Sequence, residues 1–137
     1  MKTLFTLLLF ATLYQTRLTQ QDCQKIWRPM RSAILSKNLD STLLFFTDNE
    51  IRNFRDGDNK SLKDMIKNRW FNEKYFIAAI KEGKYKYQIE DASTFHVHIR
   101  VQFPKAADEE GDGALVYDLE FKKIDGKYMV RQVSIAG

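Results

Sequence analysis

Hydrophobic positions change period near Lys84. Before it they recur at helical spacing, and after it they alternate with polar residues. From Gln24, the residues Ile26, Trp27, Met30, Ala33 and Ile34 mark one face of a helix. Pro29 leaves two readings: a start near Arg28, or a longer helix containing a proline. Asn38 can end this helix, and Asp40 can cap a second over Ser41 to Phe46. Glu50 to Phe54 reads as a short strand, and RDGDNK as a polar turn. Ser61 with Asp64 resembles a capping box, ahead of Leu62, Met65, Ile66 and Trp70 on one helical side. A further helix is expected over Glu73 to Lys81, closed by Gly83. Then Lys84–Glu90, Phe95–Phe103, Leu115–Ile124 and Lys127–Ile135 alternate as strands, the last two joined at Asp125-Gly126. Helices first and an antiparallel meander last define an α+β domain, with the helices on one face of the sheet.

The strand pattern also predicts pairing. A symmetric turn after Phe103 sets His98 opposite Asp118 and His96 opposite Glu120, and the Asp-Gly turn sets Phe121 against Val130 and Glu120 against Arg131. One sheet face then carries His96, His98, Arg100, Asp118, Glu120 and Arg131, with Val116, Met129, Val133 and Ile135 among them. The other carries Val97, Ile99, Tyr117, Leu119 and Phe121. On this register Tyr117 faces Ser134, with Gln132 beside it, so Tyr117, Gln132 and Ser134 are the candidate polar groups of an inner pocket, and Trp70 is a candidate apolar lining residue. The histidines admit a metal or acid–base reading. Two residues of strand separate their imidazoles by roughly 6–7 Å, however, and they sit on the charged face. Cross-strand charge pairing or a subunit interface is the simpler account. No metal site, catalytic residue or cofactor is expected.

Composition narrows the function classes. The first residues, MKTLFTLLLFATLYQT, have one lysine and then an uncharged apolar run from Leu4 to Tyr14. That is the build of a secretory signal peptide, and it is too short for a bilayer span. The expected division is a signal peptide over residues 1–19 and a single domain over 20–137, with the product secreted. Removing Lys2 and Arg17 from the 22 basic residues leaves 20 against 18 acidic ones, so the formal charge falls from +4 to +2. There is no basic block for nucleic acid, and no stable membrane insertion is expected. Cys23 is the single cysteine, which excludes an internal disulfide and leaves a buried thiol or an interchain bond. Asn59-Lys60-Ser61 fits an N-glycosylation acceptor at Asn59. The acidic run Asp108 to Asp112 lacks the ligand spacing of a calcium loop and reads as a solvated turn.

The order of these motifs resembles a known family. MRSAILSKNLDSTLLFFTDNEIRNF (Met30 to Phe54), the helix from Ser61 to Phe71, and the closing hairpin FKKIDGKYMVRQVSI (Phe121 to Ile135) are similar to the NTF2-like superfamily. A narrower similarity is to secreted nematode proteins that pair a signal peptide with such a domain. The resemblance covers roughly Asp22 to Ala136 and implies a cystatin-like α+β cone: N-terminal helices packed on a strongly curved antiparallel sheet. Members include isomerases, dehydratases, cyclases, transport factors and assembly domains, and many dimerise through the sheet, so the fold implies a pocket without selecting a chemistry. Their Asp or Asp–His pair has no counterpart among the inward positions Phe, Val, Ile and Tyr identified above. The reading is a non-enzymatic binding module for a small apolar ligand or a protein partner, with a homodimer through the sheet as one form. The alternatives are an isomerase- or lyase-like enzyme and a structural dimerisation domain.

Two measurements on secreted material check the compartment. N-terminal sequencing should find a start between Gln15 and Gln24, and glycosidase treatment should remove mass that is absent from N59Q. A chain beginning at Met1 would overturn the signal-peptide reading.

Overall fold

The computed structural model describes residues 17–105, 107 and 113–137. Most of the expected signal peptide and the acidic run 108–112 lie outside these residues. Helix α1 spans Gln20–Leu35, and Thr19 and Asp22 close a reciprocal capping box at its start. Pro29 is inside this longer helix, on its exposed side, where water can satisfy the carbonyl that loses its partner. Cys23, Trp27, Met30, Ala33 and Ile34 make the buried stripe. The helix ends with Lys37 at φ 55, as the Lys37 and Asn38 amides donate to Ile34 and Ala33 carbonyls at 3.0 and 3.1 Å. Asn38, not Asp40, then caps α2 (Leu39–Leu43), its Oδ1 accepting from the Ser41 amide.

The short strand expected over Glu50 to Phe54 is a helix instead, α3 (Asp48–Asn53). Thr47 Oγ1 accepts from the Glu50 amide, and Asp48 and Glu50 place negative charge in the first turn, where the helix dipole favours it. Ile51 and Phe54 are three apart, a helical spacing that the strand reading overlooked. Strand character in this region is confined to one parallel bridge, Phe46 with Val130, where the Thr47 amide donates to the Val130 carbonyl. Ser61 caps α4 (Leu62–Met65), which opens into a π-helical turn over Ile66–Trp70. Glu73 caps α5 (Lys74–Lys81) by accepting from the Tyr75 and Phe76 amides. No helix among the described residues is long and apolar enough to cross a membrane.

Strands β1 (Tyr85–Asp91), β2 (Thr94–Gln102), β3 (Ala114–Ile124) and β4 (Lys127–Ala136) form one antiparallel sheet in the order β1-β2-β3-β4. The β2–β3 register is the expected one: His96 opposite Glu120 and His98 opposite Asp118. Asp125 and Gly126, at φ 51 and 80, make the tight turn of the last hairpin. That hairpin begins as expected, with Phe121 against Val130, and then slips. Glu120 pairs with Gln132, so Arg131 is an extra, bulged residue. Everything beyond it on β4 changes face: Val133 and Ile135 join the inner side opposite Leu119 and Tyr117, and Gln132 and Ser134 turn outward.

The helices pack on the inner face around aromatic rings. Phe95 stacks on Phe121 at 4.8 Å, and Trp70 on Phe76 at 5.3 Å. Trp27 meets Tyr85 and Phe121 edge-on. Cys23 is fully buried in this core, and burial with the neighbouring Asp22 charge pushes its thiol up to about 11. The interchain disulfide reading therefore requires local unfolding of α1. Native protein at pH 8 should resist iodoacetamide and run as one chain on a non-reducing gel, and denatured protein should gain one adduct. Rapid labelling of the native form would contradict the burial.

Candidate functional site

Two places draw together the residues singled out in the sequence. The first is the inner face around Trp70 and Tyr117, whose rings meet edge-on at 6.1 Å. Tyr117 is 2% exposed, and burial raises its pKa. The positive charge of the Arg69 guanidinium opposes that rise, and Arg69 reaches Asp58 at 3.1 Å and Asp56 at 4.0 Å. The polar group expected to await a ligand thus has a charged neighbour on the π-helical turn. Gln132 and Ser134 do not join it. The Arg131 bulge places both on the opposite, exposed face, which corrects their expected inward position. The indole N–H groups of Trp27 and Trp70 are buried with no acceptor, at a cost of about 1–3 kcal/mol each. Four clefts of about 410 to 550 Å³ lie on the surface, and none of these four is lined by Trp70 or Tyr117.

The second place is the outer face of the sheet. His96 is its centre: Nδ1 lies 3.0 and 3.1 Å from the two Asp118 oxygens, and Nε2 lies 3.2 Å from Glu90 Oε2 and 4.0 Å from Glu120 Oε1. His98 stacks on it with centroids 5.8 Å apart, its Nε2 2.8 Å from Gln88 Oε1 and its Nδ1 3.4 Å from Asp118. Arg131 grips Glu120 with a two-pronged contact, Nε to Oε2 at 3.0 Å and Nη2 to Oε1 at 2.9 Å. That fork holds the Glu120 carboxyl below its usual range.

Sequence reasoning placed His96, His98, Asp118, Glu120 and Arg131 on one face and missed Glu90, since the β1–β2 pairing had not been worked out. Glu90 falls at a second irregularity, between the pairs Ile89–Phe95 and Asp91–Thr94. Its parity with Gln88 was the available signal. Arg69 was missed as well, and Glu50 was assigned to a strand. Burial raises the Glu50 carboxyl, and it lines a cleft with Arg131 and Gln132. Asn59 is exposed, at φ 59 in the turn that follows Gly57.

Comparison with known proteins adds the fold. No family model and no curated protein sequence matches the chain. Among solved structures, an NTF-2 like protein of unknown function from Shewanella oneidensis MR-1 aligns at a TM-score of 0.48 with 15% identity, over 85% of this chain and 98% of that one. An NTF2-like protein from Cytophaga hutchinsonii ATCC 33406 aligns at 0.50 with 18% identity, over 88% of this chain and 99% of that one. The chain has the NTF2-like fold: α+β, with helices laid on a curved four-stranded antiparallel sheet.

The electrostatics of His96 have a pH signature. Burial alone would lower its pKa, but hydrogen bonds to Glu90 and Asp118, with the charges of Asp118 and Glu120, raise it above the ordinary 6.5. A group with a raised folded-state pKa stabilises fully below its unfolded value and loses that contribution as pH climbs through the folded value. In chelator-containing buffer, the melting-temperature advantage of wild type over H96Q should be greatest just below pH 6.5. It should shrink as pH rises past that value, and also below about pH 4, where carboxylates protonate. A difference that grows with pH above neutrality would contradict this arrangement.

Proposed function

We propose that this protein is a secreted, non-enzymatic interaction module whose working surface is the outer face of the sheet, and that its partner there is a second copy of the chain. The observation that carries the reading is the division of labour between the two faces. Stacked and edge-on aromatic rings fill the inner one, and the outer one bears a preordered network of imidazoles, carboxylates and a guanidinium. Small-ligand binding at Tyr117, Gln132, Ser134 and Trp70 loses its basis, since the first and last of these pack together and the other two lie outside.

Charge favours self-pairing. Along the strands the outer face carries Lys86 and Arg100 toward one end, and Glu90 and Glu120, accompanied by Lys122 and the Arg131 fork, toward the other. A two-fold axis lying between the two faces, parallel to the sheet and perpendicular to the strands, sets the Lys86–Arg100 end of one copy over the Glu90–Glu120 end of the other, as an isologous interface requires. At the first of these ends Val116, paired with Arg100 on one side and Ala136 on the other, supplies half-buried apolar surface. The isomerase- or lyase-like alternative needs an ionisable group at an enclosed cavity, and the buried ionisable side chains Cys23, Asp56 and Tyr117 line none of the four clefts above.

Sedimentation equilibrium over a wide concentration range should show the mass rising from one chain to two. V116E should remain a single chain with an unchanged melting temperature in dilute solution. A single-chain mass for wild type at the highest concentration would overturn self-association.

A further inference from the structure

We infer that Glu90, His96 and Glu120 form a binding site for a divalent transition-metal cation of the zinc type, with Asp118 as the group that orients His96. The three side chains each offer one ligand atom, and these atoms lie within 4.8 Å of one another. Tetrahedral zinc with bonds near 2.1 Å sets ligand atoms about 3.4 Å apart. His96 Nε2 already stands 3.2 Å from Glu90 Oε2 and 4.0 Å from Glu120 Oε1. Small rotations of two glutamate side chains therefore converge the set, and water fills the open position. Both glutamates retain access to solvent, and Glu90 is 55% exposed, so an ion has a direct path in.

The arrangement around the imidazole is specific. A metal-binding histidine presents one nitrogen to the ion and donates the other N–H to a carboxylate, which fixes its tautomer and ring orientation. Here Nδ1 donates to Asp118 at 3.0 Å, which leaves Nε2 aimed between the two glutamates. Charge agrees as well. Glu90, Glu120 and Asp118 outnumber the Arg131 guanidinium and the nearby Lys122 ammonium, so the surroundings are net negative and favour a cation. The imidazole selects a borderline metal over magnesium or calcium, which prefer oxygen alone. The sequence expectation of no metal rested on the spacing of His96 and His98 and on their charged face; here the rings stack at 5.8 Å and His98 turns to Gln88. What it lacked was Glu90.

Arg131 makes the site adjustable. Its Nη2 contacts Glu120 Oε1, the same oxygen that faces His96, so guanidinium and metal compete for one carboxylate. The site is complete within one chain, so it is tested in dilute protein and in V116E, where single chains prevail and failure to bind metal is distinct from failure to pair.

The experiment is titration of the purified protein, first freed of metal by chelation, with zinc by calorimetry and with cobalt by its visible absorption. Wild type should take up one equivalent of zinc and give the intense cobalt bands of low coordination. Both signals should vanish in H96Q and E90Q. D118N should weaken binding by about 10–100-fold. R131M should tighten it, and H98Q should leave it unchanged. E90Q alters an exposed side chain and carries the test if H96Q folds poorly. Absence of stoichiometric zinc uptake by wild type, uptake that persists in E90Q, or equal uptake of magnesium would each overturn the proposal.

Discussion

Side-chain parity along an antiparallel ladder is the constraint on which the rest of this protein depends. A strand's residues alternate faces without exception until an extra residue is inserted, and then every later one changes side. Two such irregularities occur here. One, at Arg131, returns Val133 and Ile135 to the core and turns Gln132 and Ser134 out. The other, at Glu90, lies where β1 meets the turn into β2. Each contributes one charged side chain to the His96 network: Glu90 to Nε2, and Arg131 to the Glu120 carboxylate.

The core explains why this network lies on the outside. Inside the cone, Trp27, Trp70, Phe76, Phe95 and Phe121 are each at most 1% exposed and meet in stacked or edge-on geometry. Aromatic pairs of this kind add about 0.5–1.5 kcal/mol beyond their buried area, and the volume they occupy is unavailable to a ligand. Both tryptophans keep an unpaired indole N–H as the cost of that packing. Ionisable groups cannot share such an interior without large penalties, so the chain's histidines and most of its paired carboxylates collect on the wet face, where hydrogen bonds to one another and to water are cheap.

Much of this was legible in the sequence, for identifiable reasons. The clean alternation from Phe95 to Phe103 and the short return to Leu115 were enough to pair His96 with Glu120 and His98 with Asp118. The closing contact, from the Phe103 amide to the Gly113 carbonyl at 3.0 Å, sits where a symmetric turn requires it. The misread half of β4 had a signal too. Tyr128 and Val130 are two apart, as are Val133 and Ile135, but Val130 and Val133 are three apart, and that break in period is the bulge. Thr47 with Asp48 and Glu50 likewise described a helix start that a strand reading ignored. Arg69's approach to Tyr117 had no such trace, because it brings a π-helical turn to a strand nearly fifty positions away.

How precisely the outer network is held follows from what carries it. His96, Asp118 and Glu120 stand on the two central strands, each paired on both sides, where backbone hydrogen bonds hold Cβ positions far more tightly than a loop would. Stacking against His98 limits rotation of the His96 ring, and the Asp118 contact selects its orientation. The two members supplied at irregularities behave differently. Glu90 is more than half exposed and is free to swing, and Arg131 is anchored to Glu120 but open to solvent on its other side. A rigid centre flanked by two adjustable arms can exchange one charged neighbour for another without disturbing the sheet, because the arms move and the imidazole does not.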